Sequence, residues 1–149
     1  MDQSQDIIAI GSDHAGYQIK EFLKNKLSLK GYRFQDFGTF SEESMDYPDT
    51  AHPLSKAVQV GTFKKGILVC GSGNGVAMVA NKYCGVRAAV CWNEEIVKLA
   101  RQHNDANILA LPARFIDPEQ AEQMSELFIK IEFEGGRHLN RINKIYQTI

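Results

Sequence analysis

Short apolar runs alternate with longer amphipathic segments along the chain, and this alternation constrains the fold more than any other feature. The apolar runs predict strands at residues 7–12, 33–37, 67–70, 86–91 and 108–111. The segments between them have helical periodicity, and one more amphipathic segment follows Gly135-Gly136. Strands separated by helices form a parallel sheet covered on both faces. We therefore predict an α/β fold. It is a single doubly wound, three-layer domain over residues 1–149, with strand order 2-1-3-4-5 and a C-terminal helical arm at about 137–147.

The composition excludes several classes of protein. The chain carries 17 Lys and Arg residues against 18 Asp and Glu, a formal net charge of -1, which argues against general binding of nucleic acid or membrane surfaces. Residues 1–6 are polar, and the short apolar run after them matches neither a secretory signal nor a membrane span. The three cysteines, Cys70, Cys84 and Cys91, lack CxxC spacing and indicate reduced thiols in a cytoplasmic protein.

The predicted sheet also selects the loops where a ligand would bind. In a doubly wound sheet, ligands bind beyond the carboxyl ends of the strands, where the winding reverses between strands one and three. This rule selects residues 12–16 and 70–75, and the second segment is Cys70-Gly71-Ser72-Gly73-Asn74-Gly75. Its glycines let backbone N–H groups approach an anion or oxyanion closely. Val76 follows, which fits neither a Walker A loop, a dinucleotide-binding fingerprint nor a cysteine phosphatase loop.

Cys70 has two interpretations on sequence grounds alone. A cysteine beside a helix N-terminus is favoured as a thiolate, which can act as a base or a nucleophile. Cysteine is also a small apolar residue that is common in buried strands. The second interpretation is the one we apply to Cys84 and Cys91, whereas for Cys70 both stay open.

Several motifs together resemble one known family over residues 7–145, nearly the whole chain. They are residues 11–16 (GSDHAG), 46–48 (DYP), 70–75 (CGSGNG), 80–82 (ANK), 101–107 (RQHNDAN) and 134–138 (EGGRH). This set resembles the type B ribose-5-phosphate isomerases, within a wider family that includes galactose-6-phosphate and allose-6-phosphate isomerases. Family members use either a cysteine at the position of Cys70 or a glutamate directly after Gly-Ser-Gly-Asn-Gly. Val76 occupies the glutamate position and cannot accept a proton, so the resemblance assigns the catalytic base to Cys70.

The resemblance implies the interconversion of ribose 5-phosphate and ribulose 5-phosphate through a cis-enediolate, without metal or other cofactor. Besides Cys70 it implies catalytic roles for Ser72 as a proton relay, His103 in ring opening and Asp13 in assisting it. An imidazole suits ring opening because it exchanges protons near neutral pH. The implied substrate contacts are His14, Tyr47, Gly71, Gly73, Asn74, Gly75, Asn104, Arg114, Arg137 and Arg141.

The predicted position of His103 bears on assembly. Helices in a doubly wound domain run antiparallel to the strands, so the helix predicted at 93–102 carries His103 roughly 15 Å from the ligand loops. We therefore expect a homodimer with shared active sites, or a tetramer of the same chain. Two alternatives stay open: an isomerase subunit for a six-carbon sugar phosphate (allose 6-phosphate or galactose 6-phosphate), and a non-catalytic phosphosugar-binding protein.

Overall fold

A computed structural model describes residues 7–147, and the predicted domain of 1–149 extends beyond that range at both ends. The strands are β1 (Ile7–Ser12), β2 (Arg33–Asp36), β3 (Gly66–Cys70), β4 (Ala88–Val90) and β5 (Ile108–Pro112). The helices are α1 (Tyr17–Leu29), α2 (Pro48–Gln59), α3 (Asn74–Ala80), α4 (Glu94–Gln102), α5 (Pro118–Lys130) and α6 (Arg137–Ile145). Every strand pair is parallel, which confirms the predicted fold class.

Local sequence signals explain several of the helix ends. The side chain of Asn93 accepts a hydrogen bond from the backbone of Ile96 at the start of α4, and Asp117 forms a capping box with Gln120 at the start of α5. Gly31, just beyond α1, has φ of +96°, a conformation that glycine adopts at little cost.

The strand order is β2-β1-β3-β5-β4, so the predicted order of the last two strands is wrong. All five residues of β5 are buried, whereas β4 has three residues that are only half-buried. The fully buried strand therefore lies inside the sheet and the short one forms its edge. The switch between β1 and β3 is unaffected, since β1 pairs with both β2 and β3.

Two apolar cores lie on opposite faces of the sheet. One core joins α1, α4 and α5 through residues such as Leu23, Val97 and Phe128. The other joins α2 and α3 through residues such as Leu54 and Val76. The strand order accounts for this division, because the return from β4 to β5 reverses direction and a right-handed crossover then places α4 on the face of α1. No helix within residues 7–147 is long and apolar enough to cross a membrane.

Candidate active site

The loop after β1 packs directly on the end of β3. The backbone N–H of Asp13 donates to the carbonyl of Val69 at 3.1 Å. A Cβ atom at Gly16 would lie 2.4 Å from the same carbonyl oxygen, so only glycine permits this approach. The two loops that the sequence selects therefore meet at the carboxyl edge of the sheet. This places Asp13 and His14 beside the loop that begins at Cys70.

Cys70 ends β3 and its side chain points into the glycine loop. Its thiol is buried, and Sγ accepts a hydrogen bond from the backbone N–H of Gly73 at 3.2 Å. Gly73 has φ of +77° and precedes the first residue of α3. The turn thus aims a backbone donor at the sulfur.

Tyr47 and Arg114 flank the glycine loop from two sides. A Cβ at Gly75 would lie 2.5 Å from Cζ of Tyr47, and a Cβ at Gly71 would lie 3.2 Å from Cζ of Arg114. Both glycines thus make room for a neighbouring side chain. Arg114 is also anchored through its backbone N–H, which donates to the carbonyl of Gly71 at 3.0 Å. Arg114 is exposed, so its guanidinium can receive an anion at this edge.

The two exposed polar residues of the loop are Ser72 and Asn74. The hydroxyl oxygen of Ser72 accepts a hydrogen bond from the backbone N–H of Asn74 at 3.3 Å. This leaves the hydroxyl proton of Ser72 free to point toward a ligand, as a proton relay requires.

Asp13 and His14 each make one contact that fixes the side chain. Oδ1 of Asp13 accepts from the backbone N–H of Gly16 at 3.0 Å, so this aspartate stabilises the turn that leads into α1. Nδ1 of His14 accepts from the backbone N–H of Met45 at 3.2 Å. A neutral His14 must then carry its proton on Nε2, which makes it a hydrogen-bond donor. A pocket of about 490 Å³ adjoins His14 and is also lined by Gln18, Glu42 and Ile116.

A second group of predicted residues gathers at the other end of the sheet. His103 follows α4, and its ring stacks on that of His138 in α6 with centroids 4.2 Å apart and an angle of 13° between the planes. Both line a pocket of about 350 Å³ with Asn104 and Arg141. Arg137, one turn before Arg141, is exposed. Desolvation in its buried position and the neighbouring His103 lower the pKa of His138, and Arg137 acts in the same direction.

The two groups lie at opposite ends of β3. The backbone N–H of Gly66, the first residue of β3, donates to the carbonyl of Asn107, which follows His103 closely in the chain. Cys70 is the last of the five residues of β3, about 13 Å away at the usual rise per strand residue. The described chain thus brings Asp13, His14, Tyr47, the glycine loop and Arg114 together, and holds His103, Asn104, Arg137 and Arg141 apart from them.

The structure adds a buried ion pair that the sequence did not suggest. Nζ of Lys20 lies 2.6 Å from Oδ2 of Asp36, and the Lys20 side chain is fully buried. Oδ1 of Asp36 accepts from the N–H of Gly38, whose carbonyl accepts from the N–H of Ser12 at 2.7 Å. Burial opposes ionisation of Asp36, yet hydrogen bonds from Lys20 and Lys24 hold its pKa below the usual value. The pair thus fixes the segment after β2 against the loop that carries Asp13.

The cysteines divide into three environments. All three are free thiols. Burial raises the pKa of Cys91 to about 12, as expected for a structural core cysteine. Cys84 is exposed, so the expectation that it is buried is wrong. It precedes Gly85 in the turn between α3 and β4.

Comparison with known proteins decides the family. The sequence model of the ribose/galactose isomerase family matches residues 8–145. The chain belongs to this family. Ribose-5-phosphate isomerase B of Escherichia coli is 40% identical over 138 residues, 93% of each chain. D-erythrulose-4-phosphate isomerase of Pectobacterium atrosepticum is 39% identical over 139 residues, 93% of this chain and 91% of that protein. The crystal structure of ribose-5-phosphate isomerase B from Mycoplasma genitalium with bound ribulose-5-phosphate is 40% identical, with a TM-score of 0.87 over 93% of each chain.

Proposed function

We propose that this protein interconverts ribose 5-phosphate and ribulose 5-phosphate, with Cys70 as the general base. The observation that carries the proposal is the Cys70 thiol, which ends β3 and accepts the Gly73 N–H at 3.2 Å inside the glycine loop. The family membership supports the reaction class. The ribulose-5-phosphate bound to the Mycoplasma genitalium relative supports the five-carbon substrate.

The carboxyl edge of the sheet would carry the proton transfers. The Cys70 thiolate takes the proton from C2 of the open-chain aldose, and the electron pair moves to give a cis-enediolate. The thiol then returns the proton to C1, which yields the ketose. Ser72 passes the hydroxyl proton between O1 and O2. A positioned general base of this kind contributes ~10²–10⁴ in rate.

Backbone donors supply the electrostatic stabilisation in this proposal. Negative charge develops on the enediolate oxygens, and the backbone N–H groups of residues 71–75 that are not already bonded to Cys70 or Ser72 would stabilise it. Tyr47, Asn74 and Asp13 hold the sugar hydroxyls in place. This mechanism assigns no step to a metal ion or another cofactor.

Ring opening and phosphate binding require a second chain. His103 is separated from Cys70 by the length of β3, a gap that a histidine side chain does not span. In a two-fold dimer, the amino edge of one subunit would face the carboxyl edge of the other and build two sites at once. One subunit then contributes Cys70, His14 and Arg114, and the partner contributes His103, Asn104, Arg137 and Arg141.

Exposed apolar side chains at both edges fit this arrangement. Leu139 and Tyr146 are 50% and 38% exposed in the segment that includes α6, whereas Ile142 of α6 is buried. At the carboxyl edge, Phe115 is 74% exposed directly after Arg114. We propose a homodimer, with a tetramer of two such dimers as the larger assembly, located in the cytoplasm as the three free thiols favour.

The direct test is a coupled assay of ribulose 5-phosphate formation from ribose 5-phosphate. We expect turnover that continues after exhaustive treatment with EDTA. Binding of ribose 5-phosphate without turnover would instead indicate a phosphosugar-binding protein. The kcat/KM values for ribose 5-phosphate, allose 6-phosphate and galactose 6-phosphate would decide the sugar length. A preference for a six-carbon substrate would replace the five-carbon assignment and keep the mechanism.

A further inference from the structure

Three potential metal ligands meet where α4 ends and α6 begins. His103, Glu134 and His138 each offer a nitrogen or oxygen, and these atoms lie within 4.8 Å of one another. No metal-binding motif in the sequence indicates these three ligands, because 31 positions separate His103 from Glu134. It is the one cluster of this kind among residues 7–147.

The backbone holds the three residues in place. The N–H of Glu134 donates to the carbonyl of Gln102 at 3.1 Å, which ties the segment before α6 to the end of α4. His138 is buried, with 6% of its surface exposed. Its ring stacks on His103, so the two imidazoles are neighbours in a packed environment and not on a mobile surface.

The distance between Glu134 and His138 suits a shared metal ion better than a hydrogen bond. Oε2 of Glu134 lies 3.6 Å from Nε2 of His138. Hydrogen bonds between nitrogen and oxygen are about 2.7–3.2 Å long. Two donors bound to one tetrahedral Zn²⁺ at its usual bond lengths are about 3.4 Å apart. An ion between these two atoms would therefore require only a small adjustment.

The third ligand requires a rotation. Because the two rings are nearly parallel, their nitrogen lone pairs do not converge on one point in this structure. His103 is half-buried, follows the last turn of α4 and lines the pocket of about 350 Å³, so its ring has space to turn. The same pocket adjoins His138, so water could reach a metal ion bound there.

We propose that His103, Glu134 and His138 form a three-ligand site for a divalent transition metal, with Zn²⁺ the best match to two imidazoles and one carboxylate. The site is inhibitory, a consequence that rests on the proposed function, because a His103 bound to metal is withdrawn from ring opening. Arg141 lines the same pocket, and its positive charge opposes a cation. Binding should therefore be weaker than at a closed structural zinc site.

Binding is tested first, without reference to turnover. Full-length protein, stripped with EDTA and dialysed, is titrated with Zn²⁺ alone in a calorimeter, and Co²⁺ absorption reports the ligand geometry. We expect one ion per chain. Glu134→Gln and His138→Gln should each weaken binding at least tenfold, the scale seen even for residues that act from outside the ligand set. The Glu134 side chain is 51% exposed, so Glu134→Gln should fold as the original chain does.

Matched variants exclude the other metal-binding side chains. Cys70→Ala and Cys84→Ser remove the buried loop thiol and the exposed one, and His52→Gln removes an exposed imidazole that contacts Tyr83. All three should bind Zn²⁺ as the original chain does. Unchanged affinity in both Glu134→Gln and His138→Gln, or no saturable binding, would overturn the site.

Inhibition is tested separately. Zn²⁺ should inhibit isomerisation competitively with ribose 5-phosphate, EDTA should reverse the inhibition, and Glu134→Gln should need at least ten times more Zn²⁺. If Zn²⁺ binds in the calorimeter but no sugar phosphate is turned over, the proposed function is contradicted and the metal site is still supported. Turnover that Zn²⁺ inhibits equally in Glu134→Gln would overturn the inhibitory role.

Discussion

Sγ of Cys70 and the backbone N–H of Gly73 are 3.2 Å apart, so the turn that ends β3 directs a donor at the thiol. A core cysteine has no need of such a donor, as Cys91 illustrates just after β4, where its thiol donates to the carbonyl of Ala89. The two sulfurs therefore have different hydrogen-bond partners although both are buried. The first two predictions follow from it.

Cys70→Ala should remove turnover and keep phosphosugar binding, because the base acts in the chemical step and the phosphate is held elsewhere. We expect a loss of kcat of at least ~10²–10⁴, the usual contribution of a general base. Cys84→Ser is the matched control and should retain kcat, since Cys84 is exposed and outside the site. Steady-state kinetics with calorimetric binding of ribose 5-phosphate measures both effects. A near-normal kcat in Cys70→Ala would contradict the assignment of Cys70 as the general base.

Thiol labelling should distinguish Cys70 from Cys91. In a Cys84→Ser background, iodoacetamide near neutral pH should modify Cys70 first, because burial raises the pKa of Cys91 to about 12 and keeps that thiol protonated. Ribose 5-phosphate should slow the reaction by covering the glycine loop. Mass spectrometry of tryptic peptides gives the rates. Faster labelling of Cys91, or no protection by substrate, would argue against a reactive loop thiol.

Arg137→Ala and Arg141→Ala should mainly raise KM, with a smaller loss of kcat if the phosphate also positions the sugar. Lys144→Ala removes a positive charge from the same helix and should leave KM unchanged, which separates a specific phosphate site from general attraction of anions. All three residues are exposed, so their substitution should leave the fold intact. Equal kinetics in the two arginine variants and the lysine control would show that both arginines belong to a solvated basic face and do not bind the phosphate.

The Lys20–Asp36 pair should be asymmetric in its effect on stability. Asp36→Asn leaves the fully buried Lys20 ammonium without its main partner, and breaking such a pair costs about 3–5 kcal/mol. Lys20→Met should cost less, because Asp36 keeps Lys24 at 2.7 Å. Urea unfolding at fixed protein concentration measures both free energies. A larger loss in Lys20→Met than in Asp36→Asn would contradict this prediction.

The same pair gives a sign for the pH dependence. The pKa of Asp36 is lowered in the folded chain, so the unfolded state takes up a proton first as the pH falls. The stability that the carboxylate provides is present above the usual carboxyl pKa and is lost as the pH falls through the lowered folded value. Asp36→Asn should therefore lose less stability on acidification than the original chain does.

The sequence predicted the secondary-structure elements more accurately than the order of the strands in the sheet. Apolar runs and caps such as Asn93 specify local structure, so the predicted strands and the helix predicted at 93–102 agree with the observed elements within a few residues. Whether β5 lies beside β3 depends on which face α4 covers, a choice made by tertiary packing. The full burial of β5 beside a short, half-buried β4 appears only in the folded chain, because the sequence predicted the fourth strand as the longer of the two.

The candidate site divides in the same way. Glycine-rich loops and the switch-point rule located Cys70 and Asp13 because both depend on chain order. Lys20 lies on α1, and helical periodicity alone would place this charged residue on the face exposed to solvent. Its burial depends on the ion pair with Asp36 of β2. The contact of His103 with His138 joins two helices that no motif connects, so only the folded chain reveals it.

Subunit complementation tests the central claim most directly, since it requires Cys70 as base, His103 in ring opening and a site shared between chains. Inactive Cys70→Ala and His103→Ala proteins are mixed under conditions of demonstrated subunit exchange, and formation of ribulose 5-phosphate is measured. Each mixed dimer would contain one site with both residues intact, so activity should return to about one quarter of the original specific activity for random pairing in equal amounts. Absence of activity despite exchange, or full activity in an isolated monomer, would contradict the shared site.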